Sequence, residues 1–383
     1  MSTVAIRPQL LRWARERAGL DATDLTRQFP RFQEWERGEA SPTLRQLEAL
    51  AKKTLTPLGY FFLPEPPEDR LPIPDFRTVG DQPVRRPSPN LLETVQIMQR
   101  RQDWMQDYVA ELGQPPLDFI GSATLTDSPA DVARSIRATL GVTDGWARRE
   151  ATWTDALRSL RGMIEEVGIV VVVNGVVGNN NFRKLDPNEF RGFVLSDRFA
   201  PLIFVNGADA KSAQMFTFAH ELAHLWLGRD GVFNLPDLQP ANDAVELFCN
   251  KVAAEFLVPE EEFLRAWPQA AQTAEPFQSL AGRFKVSPLV AARRALDLQV
   301  INRAEFFSFF EAYQADERRR AQARAGGGDF YATQEVRIGR RFGAAVVRAA
   351  REGRLLFKDA YQLTGLYGQT FDRFAEGIGL QLR

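Results

Sequence analysis

Only one window of this chain has the texture of a sheet. Between Ile169 and Val205 the runs Ile169–Val173, Gly192–Ser196 and Leu202–Val205 are short, β-branched and aromatic, and turn-forming residues separate them. Everywhere else the apolar residues recur at helical spacing, as in Leu10, Leu11, Ala14 and Ala18, or Leu44, Leu47, Leu50 and Ala51. The pattern predicts an α+β, mostly helical protein with one small β-sheet flanked by helical domains. Residues 1–63 read as a small all-helical module. Residues 64–120 read as a proline-rich linker followed by a helix over Leu91–Leu112. Residues 121–300 hold the sheet and the helices around it, and residues 301–383 form a C-terminal helical region. Eight prolines between Pro64 and Pro89 remove backbone donors and fix φ, so that stretch is expected to run extended over the surface. Ser128 and Pro129 start a helix to about Leu140, and another covers roughly 153–166. From Asp209 helical periodicity persists to the C-terminus, interrupted at Gly326–Gly328 and at the arginine-rich Arg318–Arg320. No internal repeat is visible.

A length of 383 residues suits two or three folded units. The formal net charge of -1 gives no global attraction to nucleic acid, so any DNA contact must come from a local basic patch. A single cysteine, Cys249, excludes an internal disulfide framework. The opening residues lack the apolar core of a signal peptide, and the longest apolar run falls far short of the roughly 20 residues that span a bilayer. The expectation is a cytoplasmic protein without a membrane partner.

The chain has two histidines, and both lie in Phe218-Ala-His220-Glu221-Leu-Ala-His224. Four residues are just over one helical turn, and Ala213, Phe216, Thr217, His220 and His224 share a face. Two imidazoles stacked in this way reach one tetrahedral zinc, while Glu221 beside them can take a proton from a water that the metal activates. A catalytic zinc needs a third protein ligand and an open fourth position. No third histidine exists, so that ligand is a carboxylate or Cys249. The segment Asn242–Pro259 reads as a helix with Val245, Cys249, Val252 and Phe256 as its apolar stripe and Glu246 on a face shared with Asn250. Glu246 is therefore the candidate third ligand, with Asp243 and Glu255 as weaker alternatives and Cys249 as a small buried apolar residue. Asn250 suits the hydrogen bond that fixes a ligating imidazole or orients Glu246; a packing amide is the other reading.

Phe190-Arg-Gly-Phe193, Pro201–Asn206, Phe216–His224 and Glu246–Pro259 together resemble the ImmA/IrrE metallopeptidases, over about residues 130–300. The resemblance implies a zincin-like core and a zinc endopeptidase of regulatory type that cleaves repressor-like proteins. It places His220, His224 and Glu246 on the metal and Glu221 as general base. Strand Leu202–Val205 would lie beside the site, its free edge pairing with an extended substrate, or else be an ordinary core hairpin.

The N-terminal module resembles an Xre-type helix-turn-helix in Leu25–Phe29, Trp35-Glu-Arg-Gly38 and Leu47–Ala51. Only nine residues, Thr26 to Glu34, separate Leu25 from Trp35, which shortens the start of the recognition helix. Arg31 and Gln33 remain as possible DNA contacts, in a module with ten basic and seven acidic side chains. A packing or partner-binding module is the alternative. A second such pattern, Leu280–Pro288 leading to Arg293, Arg294 and Leu296, belongs in that family to the peptidase domain. Its arginines and Arg318–Arg320 are more simply solvated or salt-bridged than bound to phosphate. Besides a protein-cleaving enzyme, the layout fits an antitoxin-like protein that binds a toxin-like partner with structural zinc, or a DNA-binding regulator with a dormant protease fold.

Overall fold

The computed structural model describes residues 3–68, 70–74, 86–233, 243–315 and 330–380. Arg318–Arg320 and Gly326–Gly328 lie outside them. The chain divides into two compact units, one formed by Met1–Pro72 with Pro83–Gln96 and the other by Ile73–Gln82 with Ile97–Arg383.

In the first unit, helices α1 (Pro8–Arg17), α2 (Ala22–Gln28), α3 (Phe32–Arg37) and α4 (Leu44–Lys53) are followed by a 3-10 turn at Leu58–Phe62. Each is too short to persist alone, and they are held by a shared core of Leu10, Trp13, Leu25, Phe32, Trp35 and Leu50. Thr43 and Gln46 form a reciprocal capping box at the start of α4. α3 stops at Gly38, whose φ of 76° ends the helix in the left-handed conformation. It has six residues.

The helix α5 (Pro89–Glu111) leads toward the larger unit, which continues with α6 (Pro129–Thr139), α7 (Trp146–Arg149) and α8 (Trp153–Glu166). Next come β1 (Val170–Asn174), the hairpin of β2 (Val176–Val177) and β3 (Asn180–Lys184), then β4 (Gly192–Leu195) and β5 (Leu202–Asn206). Helix α9 (Lys211–Leu227), β6 (Gly231–Phe233) and α10 (Ala244–Leu257) follow. The four-stranded sheet has the order β1-β5-β4-β6, with β1 parallel to β5 and the other pairs antiparallel. Every residue of β1, β4 and β5 is buried, which explains why these runs are continuously apolar instead of alternating. Val171, Val173, Ile203 and Val205 join a core with α8 and α9.

Three expectations are corrected here. β5 has no free edge: Val172 pairs with Phe204 on one side and Phe193 with Phe204 on the other, so an extended substrate cannot add to it. The edge beside β4 belongs to β6, a strand that the reading of helical periodicity from Asp209 onward did not contain. Nor does the described proline-rich stretch simply cross the surface. Ile73 is buried, and Val232 of β6 donates its N–H to the Pro74 carbonyl at 3.1 Å, so this segment occupies part of the sheet edge.

Further helices α11 (Glu260–Ala270), α12 (Pro276–Phe284), α13 (Pro288–Asp297) and α14 (Arg303–Ala315) extend the helical layer. Beyond them lie α15 (Phe330–Ile338), α16 (Arg340–Arg351), α17 (Phe357–Thr364) and α18 (Gln369–Gly377), of which α15 and α16 pack against β1. Among the described residues no helix is long and apolar enough to cross a membrane.

Candidate metal centre

Residues Gln214–Trp226 of α9 are buried all round, so His220, Glu221 and His224 do not sit on a solvated face. His220 and Glu221 are 0% exposed and His224 1%. Helix α10 packs along α9 and brings Glu246 to the two imidazoles. Glu246 Oε2 lies 3.2 Å from His220 Nε2, and Oε1 lies 3.1 Å from His224 Nε2. The two Nε2 atoms are themselves 3.0 Å apart. A tetrahedral ion with bonds of about 2.0–2.1 Å sets its donors roughly 3.3–3.4 Å from one another. Taking for each imidazole the Glu246 oxygen that it meets, these contacts need open by only a few tenths of an ångström to hold one.

The protonation states suit a cation. Burial pushes the His220 imidazole down, which favours the neutral ring that a metal needs. Burial alone would raise Glu246, but the adjoining imidazoles of His220 and His224 outweigh it and bring this carboxyl down to about 2. His220 Nδ1 meets Asn250 Oδ1 at 3.0 Å, and the donation fixes the tautomer in which Nε2 faces Glu246. Asn250 follows Glu246 by one turn of α10, so one helix face supplies the third donor and the support for the first.

The weaker ligand candidates have other tasks. Asp243 caps α10, accepting from the N–H groups of Val245 at 2.7 Å and Glu246 at 3.2 Å, and so fixes the turn that carries Glu246. Glu255 pairs with Arg294 and accepts from the Glu260 N–H. Cys249 is fully buried, and burial raises its thiol well above the usual range, which disfavours a thiolate. Arg293 pairs with Asp297 at 3.0 Å. Arg31 and Gln33 are exposed at the start of α3, where Arg31 is paired with Glu34 at 2.7 Å.

Glu221 differs from its neighbours. Both of its oxygens are buried without a hydrogen-bond partner among the described residues, and burial together with the nearby Glu246 charge raises its pKa well above the ordinary carboxylate value. Gly192 of β4 makes room for it. A Cβ there would fall 2.5 Å from Thr217 Cγ2, 2.9 Å from the Phe204 carbonyl oxygen and 3.0 Å from Glu221 Oε1. The sequence reading missed this position, although a glycine opening a buried strand is a signal for close approach. It also missed the cap, whose signal is Asp243 followed three residues later by Glu246.

Residues 164–296 match the family described as the IrrE N-terminal-like domain, a metallopeptidase domain, and the match contains the whole His220, His224 and Glu246 cluster. Residues 338–377 match a family described as a domain of unknown function. No curated protein matches the chain.

Proposed function

With an IrrE N-terminal-like metallopeptidase domain as the premise, we propose that the protein is a zinc-dependent endopeptidase acting on a repressor-like or toxin-like protein. The observation that carries this reading is a buried pair of imidazoles, their Nε2 atoms 3.0 Å apart and each within 3.2 Å of a Glu246 oxygen, beside the buried Glu221 carboxylate, which has no hydrogen-bond partner among the described residues. Zinc held by His220, His224 and Glu246 would supply a Lewis acid for the scissile carbonyl and acidify the attacking water. Glu221 is the proton carrier. Its raised pKa brings it toward the range in which one carboxyl takes a proton from water and then hands it to the departing amine. Asn250 holds His220 in the ligand orientation, and the Asp243 cap holds Glu246. The dry surroundings keep solvent from screening these charges.

A proteome-wide labelling of new N-termini tests the reading. Zinc-loaded wild type and Glu221→Gln protein are each added to extract from cells lacking the protein. New N-termini that arise with wild type and fail to arise with Glu221→Gln support hydrolysis at this site. Cleavage products that form equally with both proteins would refute the role of Glu221.

A further inference from the structure

From Ile97 onward α5 runs beside the C-terminal helices, and a cavity of about 450 Å³ opens between them. This is within the usual size of small-molecule sites. Arg100, Arg101 and Trp104 of α5 form one wall; Leu355, Asp359 and Leu363, within the stretch that matches a domain of unknown function, form the other. The metal centre shares none of these residues.

Arg101 is the unusual group. It is 5% exposed, donating from Nε to the Leu363 carbonyl at 3.0 Å and from Nη1 to the Arg337 carbonyl at 3.1 Å. Its guanidinium stands over the Phe342 ring at 5.4 Å, and Trp104 meets the same ring edge-on. These contacts fix its fork without neutralising it. Among the described residues no carboxylate forms an ion pair with Arg101 or with Arg100, and no acceptor takes Arg101 Nη2. Burial brings the Arg101 pKa down to about 10, with the Arg100 charge adding to the effect, so Arg101 remains cationic at neutral pH. A buried charge is ordinarily paired. Here two adjacent cations stand on the wall of a cavity lined also by Ile97, Trp104, Leu355 and Leu363 and by the polar Gln362 and Thr364, with Asp359 as the single carboxylate.

We infer that this cavity is a binding site for a small organic anion with an apolar body, its acid group held by Arg101 and Arg100 and its body lying against Trp104, Leu355 and Leu363. The Arg101 Nη2 left over from the carbonyl bonds, the neighbouring Arg100 charge and an aromatic wall together favour an acid group joined to a ring or chain. The site would give the C-terminal region a ligand-binding task separate from peptide hydrolysis. Its wall also reaches the sheet, since Arg101 holds the last carbonyls of α15, which packs on β1.

The test uses the full chain and the fluorescent probe anilinonaphthalene sulfonate, with neutral phenylnaphthylamine as the uncharged control. Arg100→Glu reverses an exposed charge on the cavity wall, and Leu355→Trp fills the space; thermal melting of each variant confirms folding. The expected result is saturable binding of the sulfonate at one site, weakened about tenfold or more in either variant and in the neutral control. Displacement by indole acetate or by phenyl phosphate then tells a carboxylate ligand from a phosphate ester. Absence of saturable binding overturns the inference, as does equal affinity in wild type and both folded variants, or equal binding of the neutral control.

Discussion

Replacing Gly192 by alanine drives a methyl group into the space between β4 and α9. The new carbon would stand 2.5 Å from Thr217 Cγ2, 2.9 Å from the Phe204 carbonyl oxygen and 3.0 Å from Glu221 Oε1. The first two neighbours cannot yield cheaply. Thr217 is 1% exposed with its hydroxyl donating to the Ala213 carbonyl at 3.1 Å, and Phe204 is the strand residue that pairs on both sides. Overpacking of this kind costs about 1–3 kcal/mol, and with backbone among the obstacles the upper half of that range is expected. Glu221 is the neighbour most able to move, and a displacement near 1 Å costs about a hundredfold in rate. Gly192→Ala should therefore unfold at lower urea and lose hydrolysis about a hundredfold while keeping its metal, because His220, His224 and Glu246 are untouched. Adding Thr217→Ser removes the nearest obstacle and should restore part of the stability but little of the rate. Urea titration, metal analysis and a cleavage assay on the single and double variants read all three quantities. Wild-type stability and rate in Gly192→Ala would refute the claim that this glycine makes room for Glu221.

Other expectations follow from the supports of the centre and from its titration. Asn250→Ala should weaken zinc binding about 10- to 100-fold, measured by chelator competition, since His220 loses the partner that orients it. Asp243→Ala should cost about 1 kcal/mol of stability in urea and weaken zinc binding as well, because the first turn of α10 carries Glu246. In metal-free protein Glu221 has a folded pKa raised above its unfolded value of 4.5, so its contribution to stability is full below about pH 4.5 and is lost as pH rises through the folded value. Glu221→Gln should remove that decline, which has a limiting slope of about 1.4 kcal/mol per pH unit; parallel stability profiles for the two metal-free proteins between about pH 5 and 8 would contradict it.

Much of this centre is legible in the sequence because its chemistry depends on local spacing. His220 and His224 fall one turn apart on any helix, and the scarcity of histidine leaves a carboxylate as the natural third donor. Helical phasing alone sets Glu246 and Asn250 on one face and Cys249 in the apolar stripe. Strand order is a different kind of fact. Nothing in Leu202–Val205 distinguishes a central strand from an edge one, since both read as continuous apolar runs when helices cover the sheet, and the expected free edge of β5 was wrong for that reason. β6 has three residues, too few to show any period. The Pro74 carbonyl reaching Val232 is a contact between residues distant in sequence, which composition cannot announce. The arginine-walled cavity was invisible for the same reason, because its walls come from α5 and from a stretch some 250 residues later.

The most direct test of the account sets cellular function against zinc content for Glu221→Gln and His220→Ala. Glutamine keeps the shape of Glu221 and leaves the three metal donors in place, whereas alanine at 220 removes a donor and its bond to Asn250. If the site hydrolyses peptides, Glu221→Gln should bind zinc as wild type does and lose about a hundredfold to ten-thousandfold of the cleavage rate, and both variants should fail to complement a deletion strain. A Glu221→Gln protein that is fully zinc-loaded and restores function as well as wild type, beside a His220→Ala protein that restores none, would contradict proteolysis and leave the metal a structural role in a binding protein.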